Sequence, residues 1–147
     1  MKTLTFRADL CNGCRVCEET CAQTYFKVTD NLKSSIRIYE AEGTPPQFSA
    51  NFCNQCGECI DICPTMALRR DKNGIVRLDK RLCVGCLSCV GFCPNAAMRI
   101  HAELAVPFKC VACGQCAKKC PTGALSVEEV ADAELTVTEI RLKAVAA

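Results

Sequence analysis

The chain has 147 residues, 18 Lys and Arg against 16 Asp and Glu, and 16 cysteines, but no Trp, two Tyr and six Phe. Such a length suggests one domain or two very small ones, and the near-neutral balance leaves no basic face for nucleic acid. Few large apolar side chains remain once cysteine is set aside, so disulfides or metal must supplement an otherwise thin core.

The opening stretch "MKTLTFRADLC" reads as a strand leading into a cysteine run. It has no apolar h-region or cleavage pattern, so no signal peptide is expected. No segment approaches the ~18 to 20 apolar residues that a membrane span needs. A cytoplasmic location follows as the expectation, and dense cysteine in a reducing compartment points to metal rather than disulfides.

The first run is Cys11, Cys14, Cys17 and Cys21, and it is followed by Ala22. Three further runs repeat it: Cys53, Cys56, Cys59 and Cys63; Cys83, Cys86, Cys89 and Cys93; Cys110, Cys113, Cys116 and Cys120. Each has the spacing C-x2-C-x2-C-x3-C, no cysteine is left over, and the spacing matches the bacterial run for [4Fe–4S] clusters. Three closely spaced thiolates can cap three corners of a cubane from one tight loop. Gly13, Gly57, Gly85 and Gly114 lie inside these loops, where positive φ and close approach to an inorganic core are expected. The fourth cysteine stands one helical turn beyond the third, ~6 Å along the axis, and so reaches a neighbouring cluster. Zinc sites use CxxC pairs a dozen or more residues apart, not tight triplets.

After the second, third and fourth runs come Pro64, Pro94 and Pro121, then "TMALRR", "NAAMRI" and "TGALSV". Proline ends the short helix, starts a turn and sends the chain back as a strand. The first run lacks that proline, so "VCEETCAQTYFKV" is expected to stay helical through Ala22 to about Phe26. An excursion over 27–52 follows, with "SSIRIYE" alternating as a strand and "EGTPPQF" as a loop. Its aromatics Tyr25, Phe26, Tyr39, Phe48 and Phe52 are expected to shield cluster faces. His101 reads as an ordinary strand residue. Arg69, Arg70, Lys118 and Lys119 read as solvated charges. In the tail, "VEEVADAEL" reads as a helical turn or two and "LTVTEIRL" as a strand. Residues 128–147 are taken as a docking tail for a partner subunit or a second copy.

Linker lengths bear on pairing. Twenty positions separate Cys63 from Cys83, 17 separate Cys93 from Cys110, and 32 separate Cys21 from Cys53. The strand-like lead-in "GIVRLDKRLC" before the third run parallels the N-terminal one. The fold class expected is α+β: an outer bacterial-ferredoxin-like module (1–26 with 105–127) and an inner one (53–104) inserted into it. The ligand sets then cross: Cys11, Cys14, Cys17 with Cys120; Cys110, Cys113, Cys116 with Cys21; Cys53, Cys56, Cys59 with Cys93; Cys83, Cys86, Cys89 with Cys63. Sequential pairing, first run with second and third with fourth, is the alternative.

These features resemble the four-cluster electron-transfer subunits of dimethyl sulfoxide reductase, formate dehydrogenase, carbon monoxide dehydrogenase and aldehyde oxidoreductases. The likeness rests on "CNGCRVCEETC" without proline, "SSIRIYEAEG", "FCNQCGECIDICPTMAL", "LCVGCLSCVGFCPNAAM" and "FKCVACGQCAKKCPTGAL", and covers residues 1 to about 127. Many members carry extra residues before the third cysteine of the second and fourth runs; here both runs are uninterrupted. The resemblance implies the same nested pairing and four [4Fe–4S] clusters. It also implies a larger catalytic partner, closest in kind to a tungsten- or molybdenum-pterin aldehyde oxidoreductase. A ferredoxin or a flavin- and NAD-linked subunit would be the electron acceptor.

All sixteen thiolates are consumed as ligands, so no iron is open to substrate and no acid–base constellation remains. The expected role is electron conduction without catalysis. A free-standing polyferredoxin carrier, a subunit of carbon monoxide dehydrogenase, hydrogenase or formate dehydrogenase, and a structural zinc module are the competing readings. Sixteen thiolates and four oxidised cores would turn the formal +2 of the chain into about −6. Lys2, Arg7, Arg15, Lys109, Lys118 and Lys119 are expected to offset that charge locally.

Overall fold

A computed structural model describes residues 2–43 and 47–129. Its regular elements are short. In chain order they are β1 (Lys2–Phe6), α1 (Val16–Phe26), β2 (Arg37–Ala41), β3 (Gln47–Asn51), α2 (Glu58–Ile62), β4 (Leu68–Arg70), β5 (Val76–Leu78), α3 (Ser88–Gly91), α4 (Gln115–Lys119) and β6 (Leu125–Glu129). Three antiparallel pairs form: β1 with β6, β2 with β3, and β4 with β5.

The β1–β6 register sets Lys2 against Glu129 and Phe6 against Leu125. The two ends of the described chain are therefore joined in one ladder. Helices α1 and α4 pack on each other beside it, and α2 packs on α3. One core cluster gathers Leu4, Ile36, Ile38 and Leu125 around Cys17 and Cys116. A second gathers Leu68, Val76 and Met98 around Cys89. In both, cysteine supplies part of the buried centre, as the thin conventional core requires.

The missing proline has the expected consequence. Helix α1 runs to Phe26, one full turn past Cys21, with Ala22 wholly buried. Where proline is present the helix stops at once, and a turn closes with the N–H of Met66, Ala96 or Gly123 donating to the carbonyl of Cys63, Cys93 or Cys120. The chain then returns as β4 and β6 after the second and fourth runs.

Several sequence-based expectations are corrected. After the third run only an isolated Arg99–Phe108 bridge forms, so His101 lies outside any strand. Its Nε2 lies 3.0 Å from Asp30 Oδ2, and its Nδ1 accepts from the Glu103 N–H. Part of the "EGTPPQF" loop is strand: Gln47 and Phe48 open β3, which completes a hairpin with β2. Val127, Glu128 and Glu129 extend β6 rather than starting a helix. The remainder of the tail lies outside the described residues. Arg70 is exposed, as expected of a solvated charge, and its guanidinium also donates to the carbonyls of Gln55, Cys56 and Gly74.

Glu18 holds the excursion against α1. Its carboxylate is 2 % exposed, accepts from the Ile38 N–H at 3.0 Å, and lies 3.5 Å from both Asn31 Nδ2 and Arg15 Nη1. A carboxylate this deep is tolerated only with such partners. Replacing Glu18 with Ala leaves the buried Ile38 N–H unpaired. The expected cost is about 1 to 3 kcal/mol, read as a lower urea midpoint by circular dichroism.

Candidate metal centres

Each cysteine loop solves one steric problem in the same way. The residue before the second cysteine and the residue after it both take positive φ. The pairs are Gly13 with Arg15, Gln55 with Gly57, Gly85 with Leu87, and Ala112 with Gly114. In every loop one of the two is glycine, and the other is a residue for which left-handed backbone costs about 1 to 3 kcal/mol. The reversal aims N–H groups inward. Gln55 and Ala112 donate to the sulfurs of Cys53 and Cys110 at 3.3 and 3.4 Å. Room is tight at Gly13, where a Cβ would run into the Phe48 ring.

The fourth cysteine of each run is served differently. After the prolyl turn the N–H of Ala67 reaches Cys63 Sγ at 3.3 Å, and that of Ala97 reaches Cys93 Sγ at 3.3 Å. Cys21 has no such turn. Its sulfur accepts instead from the N–H of Ser35 at 3.3 Å, so the excursion supplies what the missing proline does not. Thr65 and Thr122 place hydroxyls 3.6 Å from the sulfurs of Cys63 and Cys120.

The thiols converge in fours. One cavity is lined by Cys11, Cys14, Cys17 and Cys120. A second is lined by Cys21, Cys110, Cys113 and Cys116, and a third by Cys53, Cys56, Cys59 and Cys93. The remaining four also interact, since burial and then the charges of Cys83, Cys86 and Cys63 raise the pKa of Cys89. No His, Asp or Glu lines any of the three cavities. Among the described residues, no three or more His, Cys, Asp or Glu side chains close on a point as one metal ion would require. Four sulfurs around one cavity, with backbone N–H groups donating to sulfur, suit a polynuclear iron–sulfur core rather than a single tetrahedral ion.

Electrostatics show what the bare thiols lack. Burial, reinforced by neighbouring thiols, pushes Cys17, Cys59, Cys110 and Cys116 up to about 12. Burial opposes ionisation of Cys63 and Cys120 too, yet the threonine hydroxyls and backbone N–H groups bring both below the usual thiol value. Four thiolates in one such cavity need positive charge among them, and a core of iron and sulfide carries it.

Of the shielding aromatics, Tyr25 lines the Cys110 cavity and Phe48 covers the Gly13 loop. Phe52 packs on the first core cluster. Phe26 makes an edge contact with Phe108 at 5.2 Å. Tyr39 is half exposed and lines an open groove with Arg15 and Arg37 instead. Sequence reasoning missed Ser35, Glu18 and Gln55. Nothing in their local sequence marks them, since each acts on a partner far along the chain. Lys109 was noticed only as one basic residue among several.

Comparison with known proteins agrees with the donor set. Residues 52–97 and 75–121 each match a 4Fe-4S dicluster domain, and residues 8–25 match a 4Fe-4S binding domain. The two dicluster matches overlap on the third run and join it to different neighbours, so they do not distinguish the pairings. The uncharacterized ferredoxin-like protein YdhX of Escherichia coli K12 is 35% identical over 81 residues, which cover 51% of this chain and 36% of YdhX. The thiosulfate reductase electron transfer subunit PhsB of Salmonella typhi is 30% identical over 87 residues, 51% of this chain and 43% of PhsB. The chain thus spans less than half the length of these relatives. A chain of the active-site complex BamBC of benzoyl coenzyme A reductase, solved with benzoyl-CoA, shares the fold at 23% identity and a TM-score of 0.50. The alignment covers 99% of this chain and 88% of that one.

Iron removal tests the electrostatic argument. With burial holding the thiols protonated and the cavities unfilled, the stripped chain is expected to lose cooperative unfolding. Chelation with oxidation, followed by a thermal scan in circular dichroism, should show a broad, featureless change in place of a transition.

Proposed function

We propose that this chain, whose 4Fe-4S ferredoxin-like domains occupy residues 8–25, 52–97 and 75–121, is a non-catalytic electron-transfer subunit of an oxidoreductase complex, carrying four [4Fe–4S] clusters. The observation that carries this reading is the grouping of twelve cysteines in fours around three cavities whose lining holds no His, Asp or Glu, with the remaining four cysteines in electrostatic contact with one another. Each bound cluster would supply a one-electron couple at a potential set by burial and hydrogen bonds to sulfur.

The chain's own residues then divide the work. The left-handed loop residues present N–H groups to sulfur. The prolyl turns and Ser35 hold the fourth thiol of a run. Tyr25 and Phe48 keep water off two of the sites. The β1–β6 ladder and the α1–α4 contact support an outer module built from runs one and four, with the inner module of runs two and three between them. The thiols support a row of sites: Cys17 is close enough to Cys116 to raise its pKa, Cys53 to Cys110, and Cys89 to Cys59.

A catalytic subunit at one end and an acceptor at the other complete the reading. The resemblance to the tungsten and molybdenum aldehyde-oxidoreductase group makes a pterin-bearing enzyme the first candidate for the donor. A ferredoxin or flavoprotein in the cytoplasm is the acceptor that fits. Among the described residues no helix is long and apolar enough to cross a membrane.

Anaerobic purification should yield a brown protein with about sixteen irons per chain and a larger cofactor-bearing partner. A colourless protein holding zinc would overturn the assignment. The variant Cys21→Ser tests the pairing. It is expected to disturb the centre held by Cys110, Cys113 and Cys116 and to spare that of Cys11, Cys14 and Cys17, as followed by electron paramagnetic resonance. The reverse pattern would exclude the crossed ligation.

A further inference from the structure

Lys109 immediately precedes the first cysteine of the fourth run. The corresponding residues of the other runs are Leu10, Phe52 and Leu82, all apolar. The lysine is nevertheless 8 % exposed, more buried than any of those three. Its ammonium donates to Gln55 Oε1 and to the Cys110 carbonyl, both at 2.9 Å. Both acceptors are neutral. Among the described residues no carboxylate lies within ion-pair distance of it. A buried cation without a counter-charge is costly, so one must be found.

The surroundings identify it. Lys109 lines the cavity of Cys53, Cys56, Cys59 and Cys93. The carbonyl it binds belongs to Cys110, which lines the neighbouring cavity with Cys21, Cys113 and Cys116. Gln55 fixes the lysine in that place. It is fully buried, its Nε2 donates to the same Cys110 carbonyl at 2.9 Å, and its Oε1 also accepts from the Val76 N–H at 3.0 Å. The lysine's charge lowers the pKa of a thiol in each group, Cys59 and Cys110, against the upward push of burial.

We infer that Lys109 is the shared counter-charge of the two central clusters, a positioning residue that holds their potentials up and close together where the electron passes between modules. The inference rests on the four-cluster reading above. A four-thiolate cluster carries about −2 when oxidised and about −3 when reduced, so a fixed cation nearby favours the reduced form. Coulomb interaction falls with distance, so the effect is largest on the two centres it touches. One electron enters and leaves each centre in turn. No bond to Lys109 forms or breaks.

The test is potentiometric titration of the holoprotein, read by electron paramagnetic resonance, with each centre assigned by the cysteine-to-serine variant that disturbs it. Lys109→Met is expected to lower the midpoint potentials of the Cys53 and Cys110 centres and to leave those of the Cys11 and Cys83 centres in place. Lys109→Arg should return both towards the wild-type values. Gln55→Glu gives an independent measurement should the methionine variant fail to assemble. It puts a carboxylate against the ammonium and should lower the same two potentials. Unmoved potentials, an equal shift at all four centres, or no recovery with arginine would overturn the role of Lys109. Wild-type iron near sixteen per chain separates any of these results from failure of the electron-transfer reading itself.

Discussion

Sulfur placed around a cavity is the constraint that organises this molecule. A loop that offers three thiols to one core must reverse its backbone twice within five residues, and it must point N–H groups inward rather than at its own carbonyls. Left-handed backbone at Gly13 and Arg15, and at the matching positions of the other three loops, is the result. Arg15, Gln55, Leu87 and Ala112 adopt it without the freedom of glycine. Such strain persists only where the surrounding structure over-determines it. Small helices, short ladders and a core built partly from cysteine fit a protein whose stability comes from ligation more than from apolar burial.

The exception among the four runs shows how one requirement can be met by different means. Cys63 and Cys93 each receive an N–H from four residues on, after a prolyl turn. Cys21 receives its own from Ser35, across a helix extension and a loop. Dropping the proline frees the chain to build the β2–β3 hairpin. Glu18 anchors that hairpin to α1, and Phe48 lies over the Gly13 loop. The excursion is therefore part of the first site's wall rather than an ornament on it.

Beside the second and fourth cysteine loops the protein places polar groups where an apolar seam would be expected. Gln55, Lys109, Arg70 and the backbone of Cys110 form one hydrogen-bonded cluster. Such networks are worth their desolvation only when fully satisfied. Here they join loops that are 50 or more residues apart in sequence, and they set the charge seen by two adjacent sites.

The cysteine runs, their grouping into short helix and turn, and the long α1 were legible in the amino-acid sequence, because spacing and proline act over a few residues. The cofactor chemistry was legible for the same reason, since sixteen thiols at a fixed repeat admit few partners. The partial strand after the third run, the second strand of the hairpin and the roles of Ser35 and Gln55 were not. Each depends on which distant segment lies alongside, and local pattern carries no record of that. Lys109 falls between the two cases: its departure from Leu10, Phe52 and Leu82 is visible in sequence, but only the packing of two loops around it makes the ammonium buried, neutral-partnered and common to two thiol groups.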